Sequence, residues 1–284
     1  MEEFTSPDQL RAWVRARRDE GQRIGFVPTM GFLHEGHLSL VTAARQRGEA
    51  IVMSIFVNPL QFGPNEDLSR YPRDLERDRA LAQRSGVDAL FVPSVETMYP
   101  HGSETRIIPG ETASRWEGAA RPGHFAGVLT VVAKLFNLVV PDVVCFGQKD
   151  MQQALLIRRM LRDLDWPIDF VIVPTVREAD GLALSSRNVY LKNGAREQAL
   201  SLSRALAKAA ECWLAGEKSA SRIRSAMESV FHMFPAIGVE YIAIAEPESM
   251  QPVDTVDAWT VVAVAARVGT TRLIDNIVLG QGVR

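Results

Sequence analysis

Cysteine is scarce in this chain, with only Cys145 and Cys212 among 284 residues. The two stand far apart and form neither a metal-ligand nor a redox-pair spacing, which suits a reducing compartment and two inert core thiols. Long apolar runs are missing as well: no stretch approaches the roughly 18 to 20 apolar residues that a spanning helix needs. The first twenty residues are charged and lack the apolar run of a signal peptide, so the expected address is the cytoplasm, with no membrane partner. Nor does charge of one sign dominate. Lys and Arg number 32 against 34 Asp and Glu, a net charge of -2, so no overall field draws the chain to nucleic acid or anionic lipid. Internal repeats and low-complexity segments are absent. Small molecules remain as the expected partners.

What is present is an ordinary globular composition, 46% hydrophobic and 23% charged. The length exceeds that of a usual single domain, so two are expected, each with its own core. From Arg23 onward short apolar runs alternate with amphipathic segments, the pattern of a parallel sheet covered by helices on both faces. Five buried strands are expected at 23–28, 50–57, 88–92, 142–146 and 169–173. Helical spacing places Leu38, Val41 and Ala44 on one stripe of 37–46. Val128, Val131, Leu135 and Leu138 share a stripe of 127–138, and Leu155 and Met160 one of 151–162. Residues 93–124 read as an inserted loop region with a possible short strand at 105–108. After Arg187 the pattern changes to alanine-rich helices (195–215, 219–231) and then to alternating strands (239–245, 260–268, 271–277). The expected division is therefore an α/β domain over 1–176 and a smaller α+β domain over 177–284.

Three motifs carry chemistry. The first, Pro28-Thr-Met-Gly-Phe-Leu-His34-Glu-Gly-His37, lies where the first of these strands ends and a helix begins, the edge at which open parallel sheets bind ligands. Gly31 and Gly36 permit close backbone approach to a phosphate, and the N-terminus of a helix beginning near His37 offers N–H groups to an anion. His34 and His37, three apart, can both face a triphosphate. The same spacing can serve a metal or a structural cap, but no third ligand is evident nearby and the string is not His-Glu-x-x-His. The second motif, Phe146-Gly147-Gln148-Lys149-Asp150 with Gln153, sits at another strand end; Lys149 can neutralise phosphate charge, and a helix cap is expected at Asp150. The third, Leu184-Ser185-Ser186-Arg187-Asn188, offers two hydroxyls and a guanidinium to phosphate oxygens. Taken singly, the second motif reads equally well as a structural turn, and the third reads more readily as a solvated loop.

Their order changes the weighing. A His-x-x-His string after the first strand and a Ser-Ser-Arg loop after the fifth resemble the signature pair of the nucleotidylyl-transferase superfamily. The resemblance then narrows. Val27-Pro-Thr-Met-Gly, Phe56-Val-Asn58-Pro-Leu-Gln61-Phe62, Tyr71-Pro-Arg73, Lys134-Leu-Phe-Asn137, Phe146-Gly-Gln-Lys149-Asp150 and Asp180-Gly-Leu-Ala-Leu184-Ser-Ser-Arg187-Asn are similar to the pantothenate synthetase family over nearly the whole chain. That resemblance implies a Rossmann-like N-terminal domain with a smaller C-terminal lid, and an ATP- and Mg²⁺-dependent ligase. The reaction it implies joins (R)-pantoate to β-alanine through a pantoyl-adenylate, releasing AMP and pyrophosphate. It implies a homodimer, and ATP contacts at Met30, Gly31, Phe32, Leu33, His34, Glu35, Gly36 and His37, at Gly147, Gln148, Lys149 and Asp150, at Val176, and at Leu184, Ser185, Ser186 and Arg187. It places pantoate at Gln61 and Gln153 and β-alanine near Gln61, and makes His37 the proton donor. The expected catalytic set is His37, His34, Lys149 and Arg187, with no assigned metal ligand.

Side-chain chemistry agrees, since amides such as Asn58, Gln61 and Gln153 can hydrogen-bond a hydroxylated carboxylate. The loop 65–73 and the C-terminal domain are the candidate lids. The chain departs from the family pattern at Ala126, where a basic residue is common, and at Gln148, where many relatives carry Glu. Two other readings stay open: a nucleotidyl transferase acting on a small phosphate ester, and a silent nucleotide sensor or RNA-binding relative.

Overall fold

The computed structural model describes residues 1–64 and 66–283, so Asn65, the first residue of the loop expected to act as a lid, lies outside the described residues. In chain order the elements are β1 (Glu2–Phe4), α1 (Pro7–Asp19), β2 (Ile24–Thr29), α2 (Glu35–Arg45), β3 (Ala50–Ile55), α3 (Leu75–Arg84), β4 (Ala89–Phe91), α4 (Val95–Met98), α5 (Glu117–Ala120), α6 (His124–Val139), β5 (Val143–Gly147), α7 (Met151–Asp163) and β6 (Asp169–Val173). They continue with α8 (Ala195–Leu214), α9 (Ala220–Phe231), β7 (Ile237–Ala245), β8 (Val261–Val268) and β9 (Thr271–Val278). Two compact units result. One comprises Met1–Gly110, Arg121–Gly147 and Leu156–Val173; the other comprises Glu111–Ala120, Gln148–Leu155 and Pro174–Arg284.

The first unit holds a six-stranded sheet in the order β1-β4-β3-β2-β5-β6, parallel throughout. Strands covered on both faces need apolar side chains on both. Accordingly every residue of β3 is buried, as are five of six in β2. Phe26, Ile51, Met53, Leu90 and Phe91 are fully excluded from solvent. Cys145 is buried in β5 too, and burial pushes its thiol up to about 12. From β2 the chain winds out to β3 and β4, then returns to β5 on the other side of β2. The reversal of strand order between β2 and β5 is where open α/β sheets bind ligands at their carboxyl ends, and those ends deliver Met30 and Gly147.

Three local expectations change. The first helix of the His-x-x-His motif starts at Glu35, not near His37. Residues 105–108 form no strand; Ile107 instead donates its N–H to Thr130 Oγ1 of α6 at 3.0 Å. β1, α1 and α3 were not foreseen: β1 has three residues, α1 buries only Leu10 and Val14, and α3 only Asp78 and Ala82.

Helix α6 meets the turn Pro59–Gln61 at Gly127. A Cβ there would lie 2.1 Å from the Leu60 carbonyl oxygen and 2.7 Å from the Gln61 nitrogen. Both are backbone atoms that cannot rotate away, so Gly127→Ala must push helix and turn apart. Overpacking of this kind destabilises by about 2 kcal/mol. The variant is expected to unfold at lower temperature by calorimetry, and an unchanged midpoint would show that the turn yields freely.

The second unit is an antiparallel meander, β7-β8-β9, with α8 and α9 packed on it through Leu202, Leu206, Ile223 and Met227 against Ile242, Val262 and Val264. Residues 111–120 are clasped to this unit. Glu117 is held by Arg272 through two bonds of 2.7 and 2.8 Å and accepts from the Tyr241 hydroxyl. Gln152 fastens the same segment through the carbonyls of Thr112 and Arg115.

Candidate active site

In the first unit, β2 ends in a turn whose shape depends on two left-handed residues, Gly31 (φ +80°) and Phe32 (φ +51°). Asp78, on α3 and only 1% exposed, holds that turn: its carboxylate accepts the N–H groups of Phe32 and Leu33, both at 2.7 Å. Burial pushes the Asp78 carboxyl above its ordinary range, while the two N–H bonds pull the other way. Gly31 is needed for conformation and for space, since a Cβ would stand 2.9 Å from both Asp78 Oδ2 and Ile55 Cγ2. The Leu33 side chain is fully buried in the core, and the Glu35 side chain faces solvent. At Leu33, whose N–H is already given to Asp78, only the backbone carbonyl remains for a ligand.

His34 caps α2 in extended conformation, which puts His37 in the first helical turn. The two imidazoles lie 4.1 Å apart between centroids. The backbone N–H of His34 donates to Nδ1 of His37 at 3.3 Å. An Nδ1 that accepts carries no proton, so the neutral ring holds its hydrogen on Nε2. His37 thus has a defined donor atom at a helix N-terminus, where backbone N–H groups and the helix dipole favour an anion.

Beside this turn the structure gathers Asn58 and Gln61, both buried. Gln61 Nε2 donates to Met30 Sδ at 3.1 Å. Asn58 is fully committed inside the protein: its amide donates to Gln61 Oε1 and to the Gly127 carbonyl. Its oxygen accepts from the Leu60 N–H and the Tyr99 hydroxyl, whose pKa burial raises to about 12. Asn58 therefore fixes Gln61 and has no hydrogen-bonding position to spare.

A second support was not foreseen. The Gln61 carbonyl receives Nδ1 of His124 at 2.8 Å and Nη2 of Arg121 at 3.2 Å, and Arg121 forks onto Glu66 with bonds of 2.7 and 2.6 Å. The string Arg121-Pro-Gly-His124 just before a helix was the available signal. Half-buried Ala126 brings no charge here, but Arg121 carries a guanidinium nearby. Burial would raise the Glu66 carboxyl, yet the Arg121 guanidinium brings it below its ordinary value of 4.5. The stability this gives is present above pH 4.5 and is lost as pH falls through the lower folded value. Glu66→Gln is accordingly expected to lower the thermal midpoint at pH 7, with the gap to the parent chain closing as pH falls below 4.5 through the lowered folded value. A gap independent of pH would contradict it.

In the second unit, Gln148–Asp150 forms a single turn leading into α7. Gln148 is buried, Lys149 half-buried and Asp150 exposed, with Gln153 half-buried one turn further on. Val176 and Leu184 pair as the ends of a hairpin through the Leu184 N–H at 2.9 Å. Ser185 follows and accepts the Arg187 N–H on its Oγ at 3.2 Å, starting the turn Ser186–Tyr190. The structure thus groups Met30 to His37, Asn58 and Gln61 in one unit. Gln148 to Asp150, Gln153, Val176 and Leu184 to Arg187 lie in the other, and Gly147 closes β5.

A parallel sheet with a His-x-x-His turn at its topological switch, followed by a small α+β unit, defines an α/β protein of the nucleotidyltransferase-like class. The pantoate-beta-alanine ligase family profile matches residues 2–278, and the chain belongs to that family. It is 54% identical over 279 residues to the pantothenate synthetase of Moorella thermoacetica, covering 98% of this chain and 99% of that one. The crystal structure of pantothenate synthetase from Thermus thermophilus superposes with a TM-score of 0.94 at 50% identity, over 98% of this chain and 99% of that one. A pantoate-beta-alanine ligase from Francisella tularensis, solved with beta-gamma ATP and beta-alanine, gives 0.80 at 33% identity over the full length of both chains.

Proposed function

We propose that this chain condenses (R)-pantoate with β-alanine at the expense of ATP, forming pantothenate, AMP and pyrophosphate through a pantoyl-adenylate. The observation that carries the chemistry is the His34–His37 arrangement, which aims a defined Nε2–H donor from the first turn of α2.

In the first step a carboxylate oxygen of pantoate attacks the α-phosphorus of ATP and pyrophosphate leaves. Negative charge grows on the α-phosphate and the leaving group. Donors already oriented toward it lower the barrier without reorganising. His37 and His34 serve the α-phosphate side; Lys149, Ser185, Ser186 and Arg187 take the leaving pyrophosphate, and Met30 to Gly36, Gly147 to Asp150, Val176 and Leu184 hold the nucleotide. Gln61 and Gln153 hold pantoate through its carboxylate and hydroxyls. Asn58 acts by fixing Gln61. In the second step the neutral amine of β-alanine, bound near Gln61, attacks the acyl carbon and AMP departs.

Mg²⁺ enters as part of the ATP substrate. Among the described residues no group of three His, Cys, Asp or Glu could hold a metal; the ion's ligands in this reading are phosphate oxygens and water. The labile anhydride must be kept from water, and the C-terminal unit, with the loop 66–73, is assigned that lid role. The working form is a homodimer in the cytoplasm, and sedimentation checks its dimeric state. Among the described residues no helix is long and apolar enough to cross a membrane.

ATP–pyrophosphate exchange tests the reading. Exchange that requires pantoate and proceeds without β-alanine is expected. Exchange supported by a phosphate ester and not by pantoate would move the chain to nucleotidyl transfer.

A further inference from the structure

Two consecutive polar residues, Asp275 and Asn276, are 3% and 2% exposed within β9. Burying two such groups side by side in an apolar strand is unfavourable unless each is fully bonded. What they bond to is informative. Asn276 directs both amide hydrogens to successive backbone carbonyls, those of Gln148 at 2.9 Å and Lys149 at 2.8 Å. Asp275 forks onto Arg177, with Oδ2 to Nη1 at 2.6 Å and Oδ1 to Nη2 at 3.1 Å, an ion pair buried on both sides. Its Oδ1 also accepts the Asn276 N–H at 2.8 Å. Arg177 in turn donates to the Gly181 carbonyl and pairs across the hairpin with Ala183.

We propose that Asp275 and Asn276 are positioning residues for ATP, referencing two phosphate-binding loops to one strand. Asn276 sets the turn that carries Lys149. Asp275, through Arg177, sets the hairpin whose end runs into Ser185, Ser186 and Arg187. The two loops come from segments well apart in the chain and must present their donors to one triphosphate. Transition-state stabilisation is steeply sensitive to such geometry. Neither residue touches substrate in this account, which rests on the ATP-site assignment above.

The test compares the parent chain with Asn276→Asp, of equal size but unable at neutral pH to donate to the two carbonyls, and with Asn276→Ser, which keeps one donor. ATP affinity is measured by titration calorimetry without pantoate, β-alanine KM by steady-state turnover, and folding by thermal midpoint. Asn276→Asp is expected to weaken ATP binding about tenfold or more, with Asn276→Ser in between, and to leave β-alanine KM within roughly twofold. In a Lys149→Ala background the Asn276→Asp substitution should have a much smaller effect on ATP affinity, because the group it positions is gone. Unchanged ATP affinity in folded Asn276→Asp would overturn the proposal. So would full additivity with Lys149→Ala, or parallel losses for ATP and β-alanine. A parent chain that binds ATP yet fails to exchange pyrophosphate with pantoate would instead overturn the substrate reading and leave the Asn276 comparison standing.

Discussion

Replacing His37 by alanine is expected to lower turnover by about 10² or more, because it removes a preorganised donor aimed at transition-state charge. The loss should fall on kcat of adenylate formation more than on ATP affinity, since the charge develops only as the phosphorus is attacked. His37→Gln keeps a side-chain N–H and should recover part of the rate. A protonated imidazole is not required by this scheme: the His34 N–H occupies Nδ1 and puts the hydrogen of the neutral ring on Nε2. Pre-steady-state pyrophosphate release separates the steps. Unchanged adenylate formation in His37→Ala would remove the residue from the chemistry.

The second large effect is expected at Asp78. Asp78→Asn keeps the size of the side chain but offers one acceptor where Phe32 and Leu33 present two N–H groups at 2.7 Å. One donor is then left facing an amide NH₂ in a buried site, worth about 1–3 kcal/mol. That energy holds Gly31 and Phe32 in left-handed conformations, so kcat/KM for ATP is expected to drop about 10- to 100-fold. Stability should respond differently. Burial raises the folded pKa of Asp78 above the ordinary 3.8, so its contribution to folding is present below pH 3.8 and is lost as pH rises through the folded value. At neutral pH removing the charge therefore relieves a folding cost that offsets the broken bond. Kinetics and calorimetry on the same variant check the split. A large fall in thermal midpoint with ATP kinetics intact would contradict it.

Much of the scaffold was legible in the residues. The cores of β2, β3 and β5 are apolar runs, and α6 and α8 show plain helical stripes, because burial on two faces or along one stripe leaves little choice of side chain; edge strand β6 has the same apolar pattern, yet only its Val173 is buried. Helices α1 and α3 were not legible because each buries only two side chains beneath a largely charged surface. The parts of the site divide in the same way. His34, His37, Lys149 and Ser185 to Arg187 follow strand ends or loops in short motifs, so local pattern exposes them. Asp78, Asn276 and the Arg121–His124 support act through backbone groups distant in sequence. An aspartate amid the arginines of α3 reads as a solvated face until the fold brings Phe32 and Leu33 to it. Asn58 shows the converse: an amide in a suggestive motif whose bonds are all satisfied within the protein.

In the proposed reaction the pantoate carboxylate attacks the α-phosphorus and the amine then attacks the acyl carbon. Turnover of pantoate labelled with ¹⁸O in both carboxylate oxygens, with ATP, Mg²⁺ and β-alanine, tests it directly. One labelled oxygen should appear in AMP and the other in the amide carbonyl of the product, each seen by mass spectrometry. Unlabelled AMP, or label released in orthophosphate, would contradict an adenylate.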